Sequence, residues 1–268
     1  MTAAVRTVAH HDLRVDVRRG DGTGTPLVLC SGIGAGYEMF EPLVDALDPG
    51  LDIIRFDTPG VGGSPASKLP IGFPQLAWIL DRLLDGLGYG QVDVLGYSWG
   101  GALAQQLAAQ HSSRCRRLVL ISTSTGLLSV PGDVEALASL VIPPRSAGTS
   151  ARALDAVFRR PAGTGNGLRS ELPGMLLGAL RSGTSLGFLH QVSAVATWTS
   201  LPFLPGLRQR VLVMGGDSDP IAPVANARLM AALIPRSTLQ TFPGGHFEII
   251  TAAASLAPTI SQFLAADR

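Results

Sequence analysis

Short apolar runs alternate with helical patterns along most of this chain, and that alternation limits the possible folds more than any other feature. The candidate strands are residues 26–32, 51–57, 91–98, 116–122, 210–216 and 237–242. Apolar residues spaced three and four apart predict helices at 73–87 and 101–110. Nearly continuous apolar runs are typical of strands covered on both faces. The sequence therefore predicts an α/β fold, with a mostly parallel sheet flanked by helices.

Two departures from this alternation suggest how the chain is divided. Residues 13–19 alternate between apolar and polar side chains, which predicts an antiparallel strand at the sheet edge. Between Ile121 and Val211 the strand pattern stops for about ninety residues, which is too long for a loop in a compact domain. Helical fragments occur there at 133–141, 151–160 and 171–181. We predict a core that contains the sheet at 1–125 and 205–268, with a helical cap inserted at 126–204.

Composition and charge exclude several classes of protein. Apolar residues make up 46% of the chain and charged residues 15%, the balance of a folded protein with a sizeable core. The formal net charge is +1, and no run of Lys or Arg could track phosphates, so we expect no nucleic-acid partner. Residues 182–207 carry no charge, but their Gly, Pro and polar residues argue against a transmembrane segment. The N-terminus lacks the pattern of a secretory signal, and we expect a cytoplasmic location.

The two cysteines, Cys30 and Cys115, lie in apolar, strand-like surroundings. We interpret them as buried, reduced thiols rather than as a disulfide. Neither has the spacing of a metal ligand, so the sequence predicts no metal site.

A serine between two glycines occurs twice, as GYSWG at 96–100 and GTSLG at 183–187. The first follows an apolar strand and precedes an amphipathic helix, as a nucleophile elbow requires. The second follows a segment with helical periodicity. The sequence therefore predicts Ser98 as a catalytic nucleophile and Ser185 as a cap or loop serine.

Candidates for the base and the acid follow later strands, in the order that a serine hydrolase of this kind uses. Asp219 comes after the run at 210–216, and His246 comes after the run at 237–242. Imidazole exchanges protons near neutral pH and can activate a serine, and a carboxylate on its other nitrogen would orient it. Asp217 is the alternative acid, although a turn-stabilising role suits it better. A histidine in a surface loop is the alternative interpretation of His246.

An acyl-transfer site also needs N–H donors directed at the oxyanion. The backbone N–H of Trp99, directly after Ser98, is one candidate. The glycine-rich segment 31–36 (SGIGAG) supplies the other, and we choose the N–H of Ile33. That segment lacks the lysine and the full glycine spacing of a phosphate-binding loop. We expect Asp57 to order its own turn.

Several of these segments together resemble one group within the α/β-hydrolase superfamily, the intracellular medium-chain-length polyhydroxyalkanoate depolymerases. The segments that resemble it are 31–36, 56–64, 89–108, the turn at Asp219 and the GGHF segment at 244–247. The resemblance implies a serine hydrolase that cleaves ester bonds of stored polyester through an acyl-enzyme intermediate. It implies Ser98, Asp219 and His246 as the catalytic triad, an apolar ester or polyester as substrate, possible contact with the granule surface, and no metal or organic cofactor.

The chain departs from this family in two places. The His-Gly pair that is common in the oxyanion loop of the fold is Ser31-Gly32 here. Because the donor is a backbone N–H, this change need not remove the oxyanion hole. Residues 144–167, in the middle of the insertion, show little similarity to the family, and substrate side-chain length depends on that region.

Three alternatives to the depolymerase remain open at this stage. One is a cytosolic carboxylesterase or lactonase that acts on small molecules, and another is a carbon–carbon bond hydrolase. The third is a non-catalytic ligand-binding or granule-coat protein of the same fold. A serine at the elbow argues against haloalkane dehalogenases and epoxide hydrolases, which use aspartate there.

Three aromatic residues of the insertion are candidates for binding an apolar substrate. They are Phe188, Trp198 and Phe203. Packing in the core is the alternative interpretation of all three.

Overall fold

The computed structural model describes residues 4–22, 24–141 and 182–266, and these residues build a single sheet. Its strands are β1 (Ala4–Val8), β2 (His11–Arg18), β3 (Leu27–Cys30), β4 (Ile53–Phe56), β5 (Val92–Tyr97), β6 (Cys115–Ile121), β7 (Arg210–Gly216) and β8 (Ser237–Phe242). The strand order is β1-β2-β4-β3-β5-β6-β7-β8. Strands β3 to β8 run parallel to one another, whereas β2 pairs antiparallel with both β1 and β4. The predicted α/β fold is confirmed.

Helices follow most of the parallel strands. They are α1 (Glu41–Ala46), α2 (Phe73–Leu87), α3 (Trp99–Gln110), α4 (Val134–Val141), α5 (Ser185–Ala196), α6 (Val224–Leu233), α7 (Glu248–Thr251) and α8 (Ala253–Ala265). Helix α2 has the predicted bounds because Pro74 suits the first turn, whose N–H groups need no helical acceptor. It ends at Gly88, whose φ of 81° closes the last turn through N–H bonds to Asp85 and Leu84.

The sheet separates two apolar clusters, and strand β3 shows how. Val28 and Cys30 belong to the cluster that includes residues of α2, α3 and α6, whereas Leu27 and Leu29 belong to the cluster with α1 and α8. Successive side chains of a strand point to opposite faces, so a strand that is apolar throughout can contribute to both clusters. Each buried Leu or Val contributes roughly 1.5–3 kcal/mol, which makes this sheet a rigid base for the loops at its ends.

The prediction for the sheet edge was wrong. Strand β2 contains residues 13–18 and is antiparallel as predicted, but β1 pairs along its outer side from Ala4↔Val15 to Val8↔His11. The middle three residues of β1 are exposed. The sequence of β1 therefore does not need, and does not show, the alternation of apolar and polar residues by which a half-buried strand is recognised.

The insertion between β6 and β7 is described at its two ends. Helix α4 lies within the predicted helical fragment 133–141, and α5 begins at Ser185. The predicted fragments 151–160 and 171–181 lie outside the described residues. The division into a core at 1–125 and 205–268 and a cap at 126–204 stays a prediction. Within the described ranges, no helix is both long and apolar enough to cross a membrane.

Both cysteines are buried and free, as predicted from the sequence. Cys30 is the last residue of β3 and Cys115 is the first residue of β6, so each is part of the sheet.

The carboxyl ends of the parallel strands meet at one edge of the sheet. Four of the segments that leave the sheet there are the glycine-rich loop after β3, Ser98 after β5, residues 217–219 after β7, and residues 243–247 after β8. In open α/β sheets, this edge is where ligands bind.

Candidate active site

Ser98 lies at the corner where β5 ends and α3 begins, and its backbone is strained. Its φ is 53° and its ψ is −121°, a combination that costs a non-glycine residue about 1–3 kcal/mol. Two hydrogen bonds hold the corner: the Ser98 N–H donates to the carbonyl of Ile121 at 3.0 Å, and the Thr123 hydroxyl donates to the carbonyl of Ser98 at 2.6 Å. The neighbouring strand β6 and the residues after it therefore stabilise a conformation that the serine would not adopt alone.

The glycines around Ser98 allow the strand and the helix to approach closely. A Cβ atom on Gly96 would lie 2.6 Å from both the carbonyl oxygen of Gly100 and the Cβ of Ala104. A Cβ atom on Gly100 would overlap the carbonyl oxygen of Cys30. Any side chain at either position would push α3 away from the sheet and move Ser98.

The structure brings Ser98, His246 and Asp219 into one hydrogen-bonded row. The Nε2 atom of His246 lies 2.9 Å from Oγ of Ser98, and Nδ1 lies 2.8 Å from Oδ2 of Asp219. An ionised carboxylate can only accept, so Nδ1 carries the proton and Nε2 is left to accept from the serine hydroxyl. This is the arrangement in which imidazole can act as a general base.

Asp219, rather than Asp217, is the carboxylate beside the histidine. Its Oδ1 accepts the N–H groups of Ile221 and Ala222 at 2.9 and 2.8 Å, which leaves Oδ2 facing His246. Asp219 is buried, and the two N–H bonds compensate for part of the cost of burying its charge. Asp217 is exposed and accepts from the N–H of Gly244 at 3.1 Å, in a bond that stabilises the turn.

His246 is held from two sides. Gly244, with φ of 123°, bends the loop after β8 in a conformation that a side chain would rarely adopt. The hydroxyl of Tyr97 donates to the carbonyl of His246 at 3.0 Å, and the two rings lie 5.2 Å apart. Burial, and secondarily the charge of Asp219, raises the pKa of Tyr97 well above its ordinary value, so this hydroxyl keeps its proton. Sequence reasoning missed Tyr97, although it lies directly before Ser98.

The two predicted oxyanion donors lie on segments that touch each other. Trp99 is the first residue of α3, where a helical N–H has no acceptor within the helix. Ile33 lies in the loop after β3, next to Gly32, whose Cβ would be 3.6 Å from the Cβ of Ser98. Among the residues that the structure describes, neither the Ile33 N–H nor the Trp99 N–H has an acceptor. Both are therefore free to bind an oxyanion.

Asp57 orders the loop after β4, as expected, and also reaches the loop after β3. Its Oδ2 accepts from the N–H of Gly63 at 2.9 Å, and its Oδ1 accepts from the N–H of Tyr37 at 2.9 Å. Burial raises the pKa of Asp57, while these N–H groups and Arg14 oppose that rise. The carboxyl group thus connects two of the loops that surround the elbow.

The second serine of the repeated pattern has a different environment. Ser185 is exposed and is the first residue of α5. It follows the N-cap residue of that helix, Thr184, whose hydroxyl accepts from the N–H of Gly187 at 2.9 Å. Within the described part of the chain, no hydrogen bond joins Ser185 to a histidine or a carboxylate. The interpretation of Ser185 as a cap or loop serine stays a prediction.

Two of the three predicted substrate-binding aromatics pack in or against the apolar cluster that includes residues of α2 and α3. Trp198 is buried, with its ring 4.9 Å from that of Phe73 and its indole N–H donating to Oε1 of Gln106 at 2.8 Å. Phe203 lies 5.9 Å from Trp198 and packs on the same cluster. Phe188 is partly exposed on α5. Core packing thus accounts for Trp198 and Phe203, and substrate contact by any of the three stays a prediction.

Sequence reasoning also missed Gln191, a buried residue of α5 that contacts the loops around Ser98. The described ranges contain no group of three or more His, Cys, Asp or Glu residues that could hold a metal ion.

Comparison with known proteins identifies relatives of this chain. The family model for the alpha/beta hydrolase fold matches residues 25–253. A poly(3-hydroxyalkanoate) depolymerase from Ectopseudomonas oleovorans is 41% identical over 261 residues, which cover 97% of this chain and 91% of that protein. A pimeloyl-[acyl-carrier protein] methyl ester esterase from Aromatoleum aromaticum is 30% identical over 236 residues, which cover 82% of this chain and 90% of that protein.

A solved structure shows the same overall similarity. The enol-lactonase from Burkholderia xenovorans LB400 is 25% identical and superimposes with a TM-score of 0.83. The superposition covers 97% of this chain and 99% of that chain.

Proposed function

Because the chain belongs to the α/β-hydrolase family and is an ester hydrolase, we propose that it cleaves the ester bonds of poly(3-hydroxyalkanoate) and its oligoesters through an acyl-enzyme on Ser98. The observation that carries this proposal is the hydrogen-bonded row Ser98–His246–Asp219 at the carboxyl edge of the sheet. The substrate class comes from the 41% identity to a depolymerase over nearly the whole chain.

In the acylation step, Oγ of Ser98 forms a bond to the ester carbonyl carbon while Nε2 of His246 takes the hydroxyl proton. The distance of 2.9 Å between these atoms suits direct transfer. Asp219 stabilises the imidazolium that forms, and the N–H groups of Ile33 and Trp99 stabilise the oxyanion. When the carbon–oxygen bond to the leaving alcohol breaks, His246 returns the proton to that alcohol.

In the deacylation step, His246 takes a proton from water, and the resulting hydroxide equivalent attacks the acyl carbon. The same two N–H groups receive the second oxyanion. Collapse of this intermediate releases the hydroxy acid and returns the proton to Oγ of Ser98. All atoms come from the ester, water and the protein.

A small soluble ester or lactone is the second candidate substrate. The similarity to an enol-lactonase and to a methyl ester esterase supports it, because neither name describes hydrolysis of a polyester. The proposed chemistry of Ser98, His246 and Asp219 is the same in both cases, so only the substrate separates the two candidates.

The experiment that separates them measures release of hydroxy acids from two polymer emulsions, one with methyl and one with pentyl side chains. Purified protein is compared with Ser98→Ala. We expect release from the pentyl polymer by the unaltered protein and none by the variant, because the acyl-enzyme needs the serine oxygen.

Each other outcome changes the proposal in a defined way. If neither emulsion releases acid while a soluble p-nitrophenyl ester is cleaved in a Ser98-dependent manner, the small-molecule candidate replaces the depolymerase. If Ser98→Ala retains activity on every substrate, the proposed nucleophile is wrong.

A further inference from the structure

Gln191 is a residue of the insertion whose side chain lies inside the core. It belongs to α5, yet it is only 4% exposed. Its Oε1 accepts the N–H of Gly34 at 2.7 Å, and its Nε2 donates to the hydroxyl of Thr58 at 3.0 Å. Its backbone carbonyl accepts from the indole N–H of Trp99 at 2.9 Å. One residue thus contacts three separate segments of the core.

The orientation of the Gln191 amide follows from its partners. A backbone N–H can only donate, so the side-chain atom 2.7 Å from the nitrogen of Gly34 must be the oxygen. The NH₂ group is then left to face Thr58, whose hydroxyl can accept. Both ends of the amide are therefore satisfied in only one of its two orientations.

Two of these contacts are adjacent to the proposed oxyanion donors. Gly34 follows Ile33, and Trp99 carries the other donor on its own backbone. Gln191 therefore fixes the residue next to one donor and the side chain of the residue that bears the second.

The loop that carries Ile33 forms a turn for which two related backbone conformations exist. Gly32 to Ala35 form a turn, with the N–H of Ala35 donating to the carbonyl of Gly32 at 3.2 Å. Ile33 has no positive φ, whereas Gly34 has φ of 68°, which are the signs of a type II turn. Type I and type II turns differ by a rotation of about 180° of the central peptide, here the one between Ile33 and Gly34.

The hydrogen bond from Gly34 to Gln191 involves the N–H of that central peptide. A rotation of the peptide would break the bond and place the carbonyl of Ile33 towards the amide oxygen of Gln191. The buried amide thus favours one of the two turn types. The φ of Ile33 is about −60° in both turn types, so the rotation by itself does not turn the Ile33 N–H. The bond from Gly34 to Gln191 also holds the position of the loop, and without it Ile33 would shift relative to Ser98 together with its N–H.

We propose that Gln191 is a positioning residue of the oxyanion loop: its amide oxygen holds the Gly34 N–H and keeps the Ile33 N–H directed at the oxyanion formed on Ser98. This inference rests on the proposed function. It also assigns a role to the insertion, since a residue of α5 completes a site whose other parts belong to the core.

The test compares four variants on p-nitrophenyl butanoate. Gln191→Met keeps the length of the side chain but removes the amide. Gln191→Asn keeps an amide on a side chain that is one methylene shorter, which cannot span the same distance. Because it preserves a buried polar group, it serves as the second variant if Gln191→Met folds poorly. Thr58→Val is the matched control, because it breaks the bond to Nε2 and leaves the bond to Gly34. Ser98→Ala tests the nucleophile.

We expect kcat to fall about tenfold in both Gln191 variants, less than the 10²–10³ typical for direct loss of an oxyanion donor. KM should stay within about twofold, since the Gly34–Gln191 bond positions a donor that binds the oxyanion rather than the unreacted ester. The inhibition constant of a trifluoromethyl ketone, which forms a tetrahedral adduct with a serine, should rise about as much as kcat falls. Thr58→Val should keep kcat within about twofold, and melting temperatures show which variants are folded.

Three results would overturn the inference. Folded Gln191 variants with unchanged kcat, or with a raised KM alone, would show that the residue only supports the insertion. An equal loss in Thr58→Val would show that the bond to Gly34 is not the one that matters. If Ser98→Ala stays active, the proposed function fails and the inference fails with it, whereas an inactive Ser98→Ala beside fully active Gln191 variants overturns the inference alone.

Discussion

The segments 96–100 and 183–187 share a serine between two glycines, but their structures have little in common. Ser98 leaves a strand with φ of 53°, and its hydroxyl oxygen lies 2.9 Å from His246. Ser185 begins a helix, is exposed, and follows a threonine that caps the helix. The five-residue pattern alone therefore determines neither the backbone conformation nor the surroundings of the serine.

The glycines of the two segments also have different tasks. Gly96 and Gly100 let α3 pack directly on the sheet beneath Ser98. Gly187 lets α5 approach the loop after β4, since its Cβ would lie 2.6 Å from Cα of Gly60. In the first segment the close approach shapes an elbow, and in the second it docks the insertion on the core. The residues before each pattern, apolar strand in one case and helical periodicity in the other, decide between these outcomes.

Replacement of the two serines should give the largest contrast. Ser98→Ala should lower kcat/KM on a soluble ester by at least about 10⁴-fold, because it removes the oxygen that forms the acyl-enzyme. Ser185→Ala should change it by less than about twofold, because an exposed residue at a helix start makes no contact that the reaction uses. Initial rates of the two purified variants test this directly, with labelling by a fluorophosphonate probe as a second readout.

Comparable losses in both variants would remove the distinction between the two segments. Labelling of Ser185 rather than Ser98 would reverse it.

The sequence predicted the elements that carry this contrast because their signals are local. The bounds of α2 depend on Pro74 at its start and Gly88 at its end, and five of the six candidate strands are nearly continuous runs of apolar residues. The order Ser98, Asp219, His246 could be placed for the same reason, since each residue follows directly after a recognisable strand. The preference for Asp219 over Asp217 depended on a turn that could be anticipated.

The parts that the sequence did not predict depend on contacts between distant residues. Tyr97 supports His246 from 149 positions away, and Gln191 supports Gly34 from 157 positions away. Nothing within a few residues of either one marks such a partner. The aromatic residues were ambiguous for a related reason, because a tryptophan in an uncharged segment suits substrate contact and core packing equally well until Phe73 and Gln106 appear beside Trp198.

Adding a methyl group to the first glycine of each segment should separate their stabilities. Gly96→Ala should lower the free energy of unfolding by about 1–3 kcal/mol or more, because its Cβ would lie 2.6 Å from Gly100 and Ala104. Gly183→Ala meets its nearest atom, the carbonyl oxygen of Gly60, at 3.3 Å and has no positive φ. Its free energy of unfolding should change by less than about 1 kcal/mol.

Urea denaturation of both variants measures this difference in unfolding free energy. Equal destabilisation would mean that the elbow is not the more tightly packed of the two segments.

Thiol accessibility should separate the segments without altering activity or stability. Cys30 lies beneath Gly100, and burial raises its pKa to about 12, while burial also raises the pKa of Cys115. At pH 8 both remain protonated, so the folded protein should not react with Ellman's reagent, which requires a thiolate. Ser185→Cys should add one fast-reacting thiol at an exposed position of the second segment. A raised pKa also means that the folded state binds more protons than the unfolded state above about pH 8.5, so stability should decline as pH rises from there. Rapid reaction of the unaltered protein at pH 8 would show that the sheet beneath the elbow opens in solution, and the rigid support inferred for Ser98 would then be wrong.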